Sequence, residues 1–145
     1  MWEEIESIDW AKYRLPGNYS PDIFPLLQGL ADKDYTIRWN SASVLSDVLQ
    51  LAFERTINDF PFVIVPILIR LLSFSGIPQK SLVVGLLIDL VQYSDVTDID
   101  SLDESPRRLK SIICKGITEY REILQSTDEP GLKEDIAYLI EQCSR

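Results

Sequence analysis

Apolar residues fall at helical spacing along most of this 145-residue chain, and the stripes they form recur in register. Ile23, Leu26, Leu27 and Leu30 lie at i, i+3, i+4 and i+7, which is one face of a helix. Ala42, Leu45, Val48, Leu49 and Ala52 repeat the pattern, as do Ile64, Ile67, Leu68, Leu71 and Leu72. Val83, Leu86, Leu87, Leu90 and Val91 follow, then Ile112, Ile113, Gly116, Ile117, Tyr120, Ile123 and Leu124, and finally Ile136, Leu139, Ile140 and Cys143. No sustained two-residue alternation competes, so the sequence predicts an all-α chain. Prolines place the breaks, because at a helix start a proline gives up only an N–H that has no acceptor there. Ser20-Pro21-Asp22, Asp59-Phe60-Pro61, Gly76-Ile77-Pro78, Ser105-Pro106 and Asp128-Glu129-Pro130 read as starts, and Asp32-Lys33-Asp34-Tyr35 as a polar turn. The segment after Tyr93 carries Asp95, Asp98, Asp100, Asp103 and Glu104 without one basic residue and reads as a loop.

The repeat is the most informative signal. Pro25 corresponds to Pro66, Leu27 to Leu68, Leu30 to Leu71, Ala42 to Val83, Leu45 to Leu86 and Leu49 to Leu90, all at one and the same offset. A third unit follows at a longer offset (Leu71 to Leu124, Val83 to Ala137, Leu86 to Ile140), and the excess matches the acidic loop as an insertion. Chance alignment of leucines is the competing reading; the shared offset and the proline pair are harder to obtain by accident. A period of about 40 residues with two helices per unit is the mark of a HEAT or armadillo-like array. One helical hairpin cannot bury its apolar face alone, so hairpins stack. The expected architecture is one domain over residues 1–145, a short α-solenoid of about three HEAT-like helical hairpins. The units span about 20–55, 60–93 and 106–145, with an acidic insertion at 94–105. An N-terminal capping helix, packed through Trp10 and Tyr13, covers the first unit.

Composition narrows the functions. Fourteen basic residues against 23 acidic ones give a formal net charge of −9, and every third of the chain is acidic. That balance disfavours nucleic acid, whose phosphates need Lys and Arg. The chain has no histidine, which removes Ser-His-Asp and Cys-His catalysis and the usual neutral-pH proton shuttle. Its two cysteines, Cys114 and Cys143, could form one disulfide; their apolar helical setting favours buried free thiols instead. The N-terminus Met1-Trp2-Glu3-Glu4 is acidic where a secretory signal is basic, and no apolar run is long enough for a membrane helix. A cytoplasmic protein is the expectation. No glycine-rich phosphate loop or zinc-ligand spacing occurs, and the acidic loop does not match the EF-hand register. No cofactor, metal or catalytic residue is therefore expected.

Ile8-Asp9-Trp10-Ala11, Asp22-Ile23-Phe24-Pro25-Leu26-Leu27 with Leu30, Asp34 and Arg38 ahead of Ala42 and Leu45, and Val65-Pro66-Ile67-Leu68 with Leu71-Leu72 resemble a family of small bacterial HEAT-repeat proteins. The resemblance covers roughly residues 8–93 and rests on core-forming positions, so it speaks to fold more than function. Some members lie near polymorphic toxin systems, which implies immunity proteins among them. The chain departs from the family at Leu51–Asp59, where members tend to carry a His-Gln-Gly-type linker.

The second helix of each unit in such an array usually lines the inner face. Trp39, Ser43, Asp47 and Gln50 would then lie beside Lys80, Val84, Ile88 and Gln92 of the next unit as a partner-binding surface. Asp95, Asp98, Asp100, Asp103 and Glu104 read first as a solvated loop and, as the alternative, as a negative prong for the same basic partner. Arg38 follows Asp34 by four positions and is expected to pair with it across the turn. Asp89, inside an apolar run, either lies on an exposed stripe or is buried with a partner such as Arg55, Lys80 or a backbone donor. The expected function is a non-catalytic protein-binding module for a basic protein, in its sharper form an immunity protein masking a basic toxin. An adaptor or subunit of a larger assembly, and a HEAT-like enzyme using carboxylates, are the alternatives.

Overall fold

The computed structural model describes residues 1–10, 22–55, 60–96 and 105–144, without the side chains of 51–55, 95–96 and 105–107. Every regular element among them is helical: α1 (Trp2–Glu6), α2 (Ile23–Gly29), α3 (Tyr35–Arg55), α4 (Phe60–Leu72), α5 (Lys80–Val96), α6 (Ser105–Cys114), α7 (Ile117–Ser126) and α8 (Pro130–Cys143). The fold is all-α.

Sequence neighbours pair: α2 packs on α3, α4 on α5, and α7 on α8. The second helices of these pairs also pack on one another, with α5 contacting both α3 and α8. Its central place explains the composition of α5. Val83, Val84, Leu86, Leu87, Leu90 and Val91 are all buried, because the helix meets α3, α4, α6 and α8 on different sides. The apolar stripes of α2, α3, α4 and α8 meet in one core that includes Leu27, Leu45, Leu49, Ile64, Leu68, Leu71, Ile136 and Leu139.

Local chemistry sets the helix ends. Asp34 caps α3, its Oδ1 accepting the Thr36 N–H at 2.8 Å, while Asp32 Oδ1 accepts the Asp34 N–H at 2.8 Å. Pro130 opens α8 at its first position, and Pro61 and Pro106 stand one residue into α4 and α6. Pro78 instead precedes α5 by two positions, and α2 starts at Ile23 with Asp22 at its cap; Ser20 and Pro21 lie outside the described residues. Pro25 and Pro66, the repeated prolines, are both exposed within the first helices of their pairs.

Three expectations are corrected. Arg38 does not pair with Asp34. Its guanidinium donates to the Asp32 and Lys33 carbonyls at 3.0 and 2.9 Å and, through Nε, to Gln79 Oε1 at 3.3 Å. Asp34 is already committed to capping, and Gln79 stands just ahead of α5, so the contact joins the turn before α3 to the turn before α5. The stripe from Ile112 to Leu124 is two helices, broken at Lys115-Gly116. A Cβ on Gly116 would lie 2.8 Å from the Tyr120 ring and hydroxyl and 3.0 Å from Ile69, so only glycine lets the three pack. The Tyr120 hydroxyl donates at 2.7 Å to the Ile113 carbonyl, one of the acceptors that the break exposes. Finally, Cys114 and Cys143 are not free thiols. They form a disulfide between the ends of α6 and α8, with Cα atoms 5.4 Å apart, because those two ends converge.

At the other end, Ile5 of α1 is buried in the core. Trp2 stacks edge-on against Phe24 and Phe74, at 6.4 and 5.9 Å between centroids. Trp10 does the same with Phe60 at 6.3 Å and donates its indole N–H to the Ile5 carbonyl at 3.0 Å. Tyr13 lies outside the described residues. No helix among the described residues is long and apolar enough to cross a membrane.

Candidate partner-binding groove

Where α3 and α5 run side by side, they leave an open groove of about 310 Å3. Trp39, Ser43, Ser46 and Asp47 line it from α3, and Ser81, Leu82, Gly85 and Asp89 from α5; the buried side chains of Ala42 and Leu86 lie beneath. The spacing explains the set. Trp39, Ser43 and Asp47 follow one another at i+4 on α3, and Ser81, Gly85 and Asp89 do so on α5, so each triplet follows one edge of its helix.

Trp39 is 51% exposed, as is Tyr35 (57%) one turn before it on the same side of α3, while Ile37 (45%) is exposed on the opposite side. Scattered single apolar residues on a surface mean little, but a tryptophan at the mouth of a groove is the residue type that dominates interfaces. Arg38 lies across the Tyr35 ring at 5.7 Å from its centroid. Asp89 is half-buried. Its Oδ2 accepts a hydrogen bond from Ser46 Oγ at 2.9 Å, which bridges α5 to α3 across the groove. Among the described residues its partner is thus a serine of the neighbouring helix, not Lys80; the Arg55 side chain lies outside them. Asp47 is exposed. Among the described residues the groove lining carries these two carboxylates and no cation. Arg38, next to Trp39 in sequence, is held at the turn by its carbonyl and Gln79 bonds.

Gly85 is the odd residue. A glycine inside a helix is destabilising by about 1 kcal/mol relative to alanine and usually has a packing reason. Here a Cβ would meet nothing within 4 Å. By contrast, a Cβ on Gly29 would run into the Ser41 side chain, whose Cβ lies 2.9 Å away, so that glycine serves the close approach of α2 to α3. Gly85 serves no contact among the described residues; its absent side chain leaves the groove open.

The residues that the repeat register proposed divide accordingly. Trp39, Ser43 and Asp47 come together in the groove. Gln50 and Gln92 are exposed outside its lining. Lys80 lines a different cavity, with Ile77, Pro78, Ile123, Ser126, Thr127, Glu129 and Leu132, and Val84 is buried. The reason is geometric. A translation by one repeat selects the same face of α3 and α5, but the surfaces that two adjacent helices turn toward each other are opposite faces. The face of α5 equivalent to Trp39 is turned on toward α8, and the edge facing α3 is Ser81, Gly85 and Asp89. The side chain of Asp95, and all of Asp98, Asp100, Asp103 and Glu104, lie outside the described residues.

Among the described residues no group of three His, Cys, Asp or Glu side chains could hold a metal ion. A second cavity of about 250 Å3 contains Lys80, and a third of about 390 Å3, lined by Met1, Ile69, Arg70, Ser73, Phe74 and Glu119, lies where α1 meets α4 and α7. No family model matches this chain, and comparisons with curated proteins and with solved structures give no match.

Proposed function

We propose that this chain is a non-catalytic protein-binding module, a short α-solenoid of helical hairpins that receives a basic protein on its α3–α5 face. One observation carries the reading: Gly85, a helix-interior glycine with open space where its Cβ would stand, sits in a groove flanked by exposed Trp39 and by two carboxylates with no cation in the described lining. A sequence that gives up helix stability where packing does not require it points to use of the surface above. Tryptophan is among the residues that most often anchor interfaces, and a net charge of −9 steers a basic partner toward the face. The sharper form, an immunity protein that masks a basic toxin, draws on the small size and acidity of the chain.

The adaptor reading draws on a separate observation. Tyr35 and Trp39, one turn apart on α3, expose adjoining apolar surface, as a subunit of a lasting assembly would. Against the enzyme reading stands the setting of Asp89, which is half-buried in an open groove with one serine as its bonded neighbour. The test is affinity for the purified products of the genes flanking its own, measured at about 50 and 200 mM salt, where screening differs strongly. A basic product bound with an affinity that falls steeply with salt supports the proposal. An affinity indifferent to salt contradicts charge steering.

A further inference from the structure

We infer that the α3–α5 groove is an arginine site: it takes one arginine side chain from the basic partner, its guanidinium N–H donors shared between Asp47 and Asp89 at one end and its aliphatic stem running over Gly85 from the Trp39 end. This rests on the protein-binding reading above and narrows it to a residue type. The acceptors favour a multidentate donor. Asp89 has one carboxylate oxygen bound by Ser46 and a second that takes no bond within the described residues; Asp47 takes none there either, and the Ser43 and Ser81 hydroxyls add further acceptors. A guanidinium presents five N–H groups in one plane, whereas an ammonium presents three around a strongly hydrated point charge. The apolar methylenes of the stem suit the exposed indole at the other end of the groove, and the weakly hydrated planar cation is less costly to bring between two carboxylates than an ammonium. A quaternary or methylated ammonium needs a cage of aromatic rings, and Trp39 is the one aromatic residue in the described lining. The carboxylates repel phosphate and carboxylate ligands. A groove of about 310 Å3 is at the small end of ligand sites, right for a side chain with its water. Open space above Gly85 is where the aliphatic stem passes.

The test uses the full chain labelled with 15N and three peptides, acetyl-Gly-Gly-Xaa-Gly-Gly-amide with arginine, lysine or citrulline at the centre. Citrulline keeps the shape of arginine and removes its charge. The arginine peptide is expected to shift the Trp39 indole N–H and the Ser81, Gly85 and Asp89 amides. Lysine should bind about two- to fivefold more weakly and citrulline not at all. Trp39→Ala and Asp89→Asn should each weaken arginine binding about two- to fivefold, and Gly85→Leu should abolish it while the rest of the spectrum keeps its dispersion. Lysine binding equal to arginine, shifts centred elsewhere, or no shifts with any peptide would overturn the arginine assignment. Those outcomes leave the protein-binding reading to stand or fall on the salt-dependent partner titration, which does not depend on the residue type bound.

Discussion

Replacing Gly85 by alanine should make the protein more stable. In a helix interior glycine is about 0.8–1.0 kcal/mol less favourable than alanine, because it loses more backbone freedom on folding. In most glycine positions that gain is offset by a clash. At Gly85 an added Cβ meets no atom within 4 Å and the residue lies well inside the 17-residue α5, so the whole gain should be realised. For 145 residues an unfolding entropy of about 2.1 cal/mol/K per residue sums to about 0.3 kcal/mol/K, so Tm should rise by about 3 °C. Circular dichroism melting and urea titration of Gly85→Ala would measure this. An unchanged or lowered Tm would mean that the space above Gly85 is filled in solution, and the groove would lose its main support. The same methyl should already weaken binding, since it stands where the bound side chain passes. Gly85→Leu should keep the fold and remove binding. Stability rising while binding falls is the behaviour of a position held for use.

Other substitutions test the scaffold. Reducing the Cys114–Cys143 disulfide, or replacing both cysteines by alanine, frees a loop with a sequence separation of 29; loop closure entropy then predicts a loss of about 3.6 kcal/mol, about 12 °C in Tm. Melting that is the same with and without reductant would contradict the pairing. Gly29→Ala should destabilise by about 1–3 kcal/mol, because its Cβ has to displace the buried Ser41 side chain; the urea midpoint reads this directly. Tyr120→Phe should lose about 1 kcal/mol with the hydrogen bond to Ile113. Burial, with Glu119 adding to it, holds the Tyr120 phenol above its ordinary value of 10.0. The folded state therefore keeps a proton that the unfolded chain releases above about pH 10, so stability falls as pH rises through that value. Tyr120→Phe should flatten that alkaline loss in a melting series from about pH 8 to 11.

Much of the architecture was legible because burial writes its period into the chain. The stripes through Leu45, Leu68, Leu87 and Ile136 mark the faces that meet in the core, and Pro61, Pro106 and Pro130 stand at the first or second position of their helices. The break at Gly116 was not legible, since Ile113, Tyr120 and Ile123 keep an apolar pattern across it and the glycine is required by how the Tyr120 ring and Ile69 of another helix close over it. The disulfide was hidden for a similar reason: whether α6 and α8 end near each other depends on how two helices far apart in sequence pack. Half of the groove was visible. Trp39, Ser43 and Asp47 follow from helical spacing on α3, but the facing edge of α5 needs the sense in which neighbouring helices present opposite faces. Asp89 stood out in sequence as an interruption of an apolar run; its pairing with Ser46, and the open space at Gly85, come only from the structure.

The most direct test of the groove as the partner surface is site-specific photo-crosslinking in native lysate. A benzophenone side chain is placed at Ser81, in the groove, or at Glu134, exposed on α8 and outside every cavity described above. A single basic protein captured from Ser81 and not from Glu134, and lost when Gly85→Leu is added, is the expected outcome. Equal capture at both positions, or a captured species that is acidic and indifferent to Gly85→Leu, would contradict a groove built for a basic partner.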